Sequence, residues 1–395
     1  MQKSRLVWKK ILTGYERTFS SDCSPRGVKL KKILLLKKRT RYELEKLSYP
    51  QLSYDEYDRC LRIRGTDLES LLQTTKIHQQ LSDKLESNLR NAGFQVDVID
   101  RTQYTPDAIE WADLIVTAGG DGTFLIAASE IQNRDKPLLG FNTNPSKSTG
   151  YLCLPCSVNN EAVVNRLKND DFLWKFRTRI EVKLTGQFLK PDPERIGLQN
   201  KIAFDCPDVL FNQGAPAQSK ILPSKALNEV FFAEKRPSLV SNFIVSLPGR
   251  PRTHVKCSGV CVSTGTGSTS WHMSMNRISL SKVHKLLELA KIESSPDHLV
   301  ELMTAFNDSL QFPYDDPRVH YTIRDMIVSP ITPDPSGILP GDFTTAISVA
   351  SKCYTADVVV DGTHAWPFND GTQAELSTRP EIALRTLHFP NLSFE

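Results

Sequence analysis

The sequence is notable first for what it lacks. No apolar run approaches the length that crosses a bilayer; the longest near the start, "ILLL" at 33–36, suits a buried strand. The apolar h-region of a secretory signal is missing. No GxxxxGK[ST] occurs, which excludes a P-loop, and no GxGxxG turn occurs, which argues against a nicotinamide dehydrogenase. A net charge of +4 on 395 residues gives no case for nucleic acid. Neither nucleic acid nor membrane is therefore expected as a partner. The eight cysteines form no disulfide framework. Cys153 and Cys156 make a CxxC, and Cys257 and Cys261 lie four apart. Together they could ligate zinc, but the second pair lacks zinc-ribbon spacing and no histidine cluster supports it. We read them as reduced thiols and assign no metal-ligating residue. Two Asn-x-Ser sequons, at 307 and 391, are read as chance.

What is present begins with a basic leader. "MQKSRLVWKKILTGYERTFSS" carries Lys3, Arg5, Lys9, Lys10 and Arg17 against Glu16 alone, interleaved with Leu6, Trp8, Ile11 and Leu12. That composition suits a mitochondrial transit peptide over 1–28, with a plain basic tail as the alternative. From about 31 to 150, strands alternate with helices: "KKILLLKK", a long helix bearing Leu68, Leu71, Leu85 and Leu89 and closed by Gly93, "FQVDVID", a short helix capped by Thr105-Pro106, "DLIVTA", a helix from about 122, and "PLLGFN". This alternation predicts a parallel, doubly wound sheet.

After 150 the pattern changes to strands with turn-rich joints, interrupted by helices at about 281–292 and 296–310. The fold class expected is thus an N-terminal doubly wound α/β domain (29–150) followed by a mainly β, sandwich-like domain (151–365). The Pro-, Gly- and Gln-rich stretch 186–224 reads as an insertion or loop, and 366–395 as a segment returning to the first domain.

Chemistry concentrates where strands end. In "WADLIVTAGGDGTFLIAAS" (111–129) a buried strand runs into Gly119-Gly120-Asp121-Gly122-Thr123, and a helix follows at once. Ligands of parallel sheets bind beyond the strands' C-terminal ends. Glycines there expose amides that cradle phosphate. Asp121 would repel that phosphate unless a cation bridges them or the carboxylate accepts a proton, and phosphoryl transfer needs both. An Asp-Gly turn without chemistry is the plainer reading. In "SGVCVSTGTGSTSWHMSMN" (258–276) a second strand ends in small residues and hydroxyls, serving either as a turn or as donors to ribose and phosphate. In "KALNEVFFAE" (225–234) Asn228-Glu229 interrupts an apolar strand, marking either a bulge or a ligand contact.

In this order, "GGDGT", "ALNEV", "STGTGSTSWHMSMN" and "VVVDG" (358–362) resemble the NAD kinase family over about 31 to 365, and its animal mitochondrial branch through "KKRTRYELEK" and Trp271. GGDGT alone is shared with lipid and 6-phosphofructokinase relatives. The resemblance implies a two-domain enzyme that moves the ATP γ-phosphate to the 2′-hydroxyl of NAD's adenosine ribose with Mg²⁺, working as a homodimer in the mitochondrial matrix. It implies Asp121 as base or orienting carboxylate, and Gly119, Gly120, Gly122 and Thr123 around the phosphates. It places Asn228 and Glu229 on NAD ribose hydroxyls, Thr269, Ser270, Trp271 and Ser274 around the adenosine half, and Asn142 and Tyr151 near the nicotinamide end. The sequence departs from the family at "GFNTNPSKSTGYL", which is longer by about three residues than the family's segment, at Trp271 in place of Tyr, and at Ser270 in place of Ala.

Overall fold

The computed structural model describes residues 29–144, 150–155, 160–186, 189, 194–195, 217–328 and 338–391. The expected leader, Cys156 and most of the 186–224 stretch lie outside these residues.

The first unit is a six-stranded sheet in the order β2-β1-β3-β4-β19-β5. Its strands are β1 (Lys32–Lys37), β2 (Gln95–Ile99), β3 (Leu114–Gly119), β4 (Leu138–Asn142), β5 (Leu173–Arg177) and β19 (Leu384–His388). β1 to β4 and β19 run parallel, and β5 is antiparallel to β19. The continuous apolar runs in β1, β3 and β4 follow from helices covering both faces. Ile33 and Leu35 pack with one helical layer, which includes Leu85 and Val163, while Leu34 and Leu36 pack with another, which includes Ile109 and Phe124.

The helices are α1 (Arg41–Ser48), α2 (Tyr54–Ile63), α3 (Leu68–Asn91), α4 (Pro106–Trp111), α5 (Asp121–Glu130) and α6 (Asn160–Lys168). The sequence predicted one long helix after β1, but two short ones precede it. Thr40 with Glu43 and Ser53 with Glu56 form reciprocal capping boxes that start them. α3 ends as expected at Gly93, whose φ is 95°.

The second unit is a sandwich. One sheet has the order β11-β10-β15-β18-β6-β8, the other β14-β13-β12-β9-β16-β17-β7. The first is built from β6 (Ile180–Gly186), β8 (Gln218–Ile221), β10 (Ser241–Ser246), β11 (Thr253–Cys257), β15 (Ala346–Ser351) and β18 (Gln373–Thr378). The second is built from β7 (Glu194–Arg195), β9 (Glu229–Glu234), β12 (Gly259–Ser263), β13 (Val319–Arg324), β14 (Gly341–Thr344), β16 (Ala356–Val360) and β17 (His364–Pro367). Alternate residues of both sheets meet in one core, with Val182, Phe243 and Val349 facing Val230, Phe232, Val262 and Val358. Helices α7 (Trp271–Asn276), α8 (Leu280–Leu289) and α9 (Pro296–Ser309) interrupt it, the last capped by Ser295.

The expected domain boundary at 150 is corrected. α6 and β5 still belong to the first unit, so the chain crosses into the sandwich at 178–179, within what the sequence presented as the single strand "FRTRIEVKLTG". Of the segment 366–395, β18 stays in the sandwich and β19 joins the first sheet beside β4.

Arg179 locks this crossing. Fully buried, it donates from Nε to the carbonyl of Ile382 and from Nη1 to those of Ala128 and Ile131 at the C-terminal end of α5. A cation there complements the helix dipole and satisfies carbonyls the helix leaves open. Arg179→Met removes all three donors. It should lower unfolding free energy by about 3 kcal/mol or more, because buried carbonyls lose their partners. Urea denaturation measures this, and a loss under about 1 kcal/mol would contradict the assigned role.

Candidate active site

α5 starts where β3 stops, with Gly120 as its N-cap. A side chain at Gly119 would meet Thr123 Oγ1 at 2.3 Å, so strand and helix can approach only over a glycine. Thr123 is buried beneath the turn, while Gly122 is exposed and faces open space. Asp121 is the first residue of the helix. Its carboxylate turns to the neighbouring segment: Oδ1 accepts from the Leu152 amide at 2.9 Å and Oδ2 from the Tyr151 amide at 3.0 Å. Two donors and the helix N-terminus hold the charge in one orientation, with a lone pair left on each oxygen. The Tyr151 side chain is exposed. Asn142 ends β4 opposite Gly119, is buried, and accepts the Asn144 amide at 2.9 Å.

A second carboxylate organises the sandwich side. Asp361 follows β16 with φ of 48° and is buried. It accepts the amides of Leu227, Asn228 and Glu229 at 2.7, 2.8 and 3.1 Å. Burial raises its pKa to about 6 against the pull of these donors. Asn228 and Glu229 therefore do not interrupt a strand, as the sequence suggested; they are gripped at its start, β9 beginning at Glu229. Asn228 Nδ2 reaches Ser270 Oγ at 3.4 Å, while Asn228 Oδ1 and Glu229 Oε2 are buried with no hydrogen-bond partner. Burial, with Asp361 adding, pushes Glu229 up to about 8. The 264–270 turn packs directly on this pair, since a side chain at Gly267 would meet the Asn228 carbonyl at 2.2 Å.

The two clusters are contiguous. Leu227 packs in the same core as Phe124 and Ala127 of α5. Arg177, the last residue of β5, donates to Thr266 Oγ1 at 3.3 Å, and the Asp121 charge acts on its guanidinium. A cavity of about 220 Å³ adjoins the glycine turn, lined by Lys38, Thr40, Arg41, Tyr42 and His78 among others. Lys38 lies against Gly119, and buried His78, its pKa lowered by desolvation, pairs with Thr143 Oγ1 at 2.8 Å.

The structure thus brings Gly119, Gly120, Asp121, Asn142 and the Tyr151 amide together on one side, and Asn228, Glu229 and Ser270 on the other. Thr269 ends the turn's short 3₁₀ helix. Trp271 is 47% exposed, edge-on to Phe231, and Ser274 is exposed with its hydroxyl spent on Ser270 O. Neither is enclosed by the cluster. Arg177 and Arg179 were missed by the sequence reading; the only signal was the "RTR" between two apolar strands. Asp361 was noticed only as part of the "VVVDG" likeness. Among the described residues no three His, Cys, Asp or Glu form a metal-holding group, and Cys153, Cys257 and Cys261 are buried free thiols.

Residues 58–171 match the family described as the ATP-NAD kinase N-terminal domain. The chain is 31% identical over 392 residues to NAD kinase 2, mitochondrial, of Rattus norvegicus, covering 95% of this chain and 92% of that one. It is 32% identical over 377 residues to the Homo sapiens protein of the same name, covering 91% and 85%. Among solved structures it is similar to yeast NADH kinase complexed with NADH, with TM-score 0.50 and 15% identity over 93% of this chain and 89% of that one, a likeness of fold alone.

The raised carboxyls give a pH signature. A buried acid whose folded pKa exceeds its unfolded value favours the folded state below the unfolded pKa and loses that advantage as pH climbs through the folded one. Wild-type stability should therefore fall between about pH 5 and about pH 8 through Asp361 and Glu229. Glu229→Gln removes one share. Its melting temperature should match wild type near the acid end and exceed it increasingly toward the alkaline end. A difference that stays flat across the window would contradict the burial of Glu229.

Proposed function

Because the chain belongs to the NAD kinase family, we propose that it transfers the ATP γ-phosphate to the 2′-hydroxyl of NAD's adenosine ribose, making NADP. The observation that carries this reading is the pair of orphan acceptors, Asn228 Oδ1 and Glu229 Oε2, contiguous with a phosphate-cradling glycine turn. Buried polar atoms without partners call for a polar ligand, and a ribose hydroxyl, which both donates and accepts, can serve either atom. The acyl chains of a lipid acceptor would leave both without a role.

In the reaction, the ribose 2′-oxygen bonds to the γ-phosphorus as the bond to the β,γ-bridging oxygen breaks. Asp121 orients the attacking hydroxyl and receives its proton. The amide of exposed Gly122 meets the phosphates at the start of α5. The cavity beside Lys38 and Arg41 suits the donor, since it is basic and adjoins Gly119. The Asp121 carboxylate fits Mg²⁺ brought in on ATP and would supply it one oxygen ligand. When bound, Mg²⁺ would neutralise charge on the donor phosphates.

Location and assembly belong to the same proposal. Relatives at about 31% identity are named as mitochondrial, and the basic leader over 1–28 supports import to the matrix. A homodimer is supported by the exposed apolar face of the α8–α9 hairpin, which carries Leu286, Leu289, Val300 and Phe306.

An assay crossing NAD, NADH, diacylglycerol and sphingosine with several phosphate donors tests the reading; NADP from NAD and ATP is expected. Asp121→Asn should cut turnover at least about a hundredfold with folding and NAD binding nearly intact. Unchanged turnover would refute the role of Asp121, and lipid phosphorylation with NAD left untouched would refute the acceptor.

A further inference from the structure

We propose that Arg177 is the group that holds the phosphoryl oxygens in flight, bridging the two units across the cleft. This rests on the kinase reading above.

The first observation is position. β5 is where the chain leaves the first sheet, and Arg177 is its last residue, before the crossing at Thr178 and Arg179. Its guanidinium extends to Thr266 in the sandwich's small-residue turn, and Cζ lies 5.3 Å from the centre of the Tyr314 ring. It therefore lies where the glycine turn of one unit and the Thr-Gly turn of the other converge.

The second observation is an imbalance of partners. Arg179, two residues on, makes three hydrogen bonds to carbonyls and leaves only Nη2 without a partner. Arg177 has one hydroxyl at 3.3 Å and an aromatic face, its Nε is buried with no acceptor, and among the described residues it forms no ion pair. Arg177 is half-buried, and most of its N–H donors have no acceptor in the protein, so they can serve a ligand. Asp121 is near enough for its charge to act on Arg177, yet its oxygens are taken by the Tyr151 and Leu152 amides rather than by the guanidinium.

The third is chemistry. The transferred group spreads negative charge over three equatorial oxygens as it moves between donor and acceptor. A planar fork of N–H donors matches two of them, and in an enclosed site such a donor acts without having to reorganise. Asp121 would face the attacking hydroxyl and Arg177 the group under attack. No proton leaves Arg177 at any stage; the hydroxyl proton goes to Asp121 and the leaving charge stays on ADP.

A structural staple between the units is the competing account, and stability separates the two. Arg177→Met and Arg177→Gln in the full chain should lower kcat at least about a hundredfold with KM for NAD within about threefold. The melting temperature without ligand should change little, because the half-buried side chain gives up only one long hydrogen bond and one aromatic contact. Arg177→Lys should recover part of kcat, having charge without the fork. Turnover within about threefold of wild type in either neutral variant would overturn the proposal, as would a large fall in melting temperature with kcat retained. If one neutral variant does not fold, the other decides. Wild-type protein in the same assay separates the two claims: NADP from wild type and from both neutral variants defeats only the role of Arg177, whereas no NADP from wild type defeats the kinase reading as well.

Discussion

The grip of two backbone amides on Asp121 is the constraint on which the cleft depends. A carboxylate at the first turn of a helix, beside glycines, could rotate freely into solvent. Here the Tyr151 and Leu152 amides hold both oxygens, so the charge has one direction and the segment after β4 has one place to lie. The glycine turn, the end of β4 and the 150–152 segment are thereby a single wall rather than three loops.

Asp361 repeats the device on the other side. It captures three consecutive amides and sets Asn228 and Glu229 with acceptors unfilled. Each aspartate orders a segment remote from it in sequence, and each contributes to a site whose polar groups exceed what the protein satisfies. The arginines at the crossing divide the remaining work. Arg179 closes the C-terminal end of the helix that Asp121 opens, while Arg177 reaches across to the Thr266 hydroxyl. Surplus polarity of this kind is expected where binding rather than folding is served.

Much of this was legible in the residues. Continuous apolar runs named β1, β3 and β4 because helices cover both faces of that sheet, and alternation named most of the sandwich. The glycine turns announced themselves because close approach tolerates no side chain at Gly119 or Gly267. The rest required the third dimension. β5 and β6 read as one strand, since nothing in "FRTRIEVKLTG" says that its halves join different sheets. The helices α1 and α2 were missed although their capping boxes stood in plain view. Asp361 acts on amides more than 130 residues upstream, a pairing no local pattern encodes. Arg177 looks like any exposed strand-end cation until it is seen half-buried between the two units, with the Thr266 hydroxyl as its hydrogen-bond partner.

The account's central claim is spatial: one ribose spans the gap between Asp121 and the Asn228–Glu229 pair. A crystal structure of the protein with NAD bound tests it most directly. The account predicts the adenosine 2′-hydroxyl within about 3 Å of an Asp121 oxygen, with the neighbouring hydroxyl bonded to Asn228 or Glu229. A ribose seated elsewhere, with both orphan acceptors still unfilled, would contradict it.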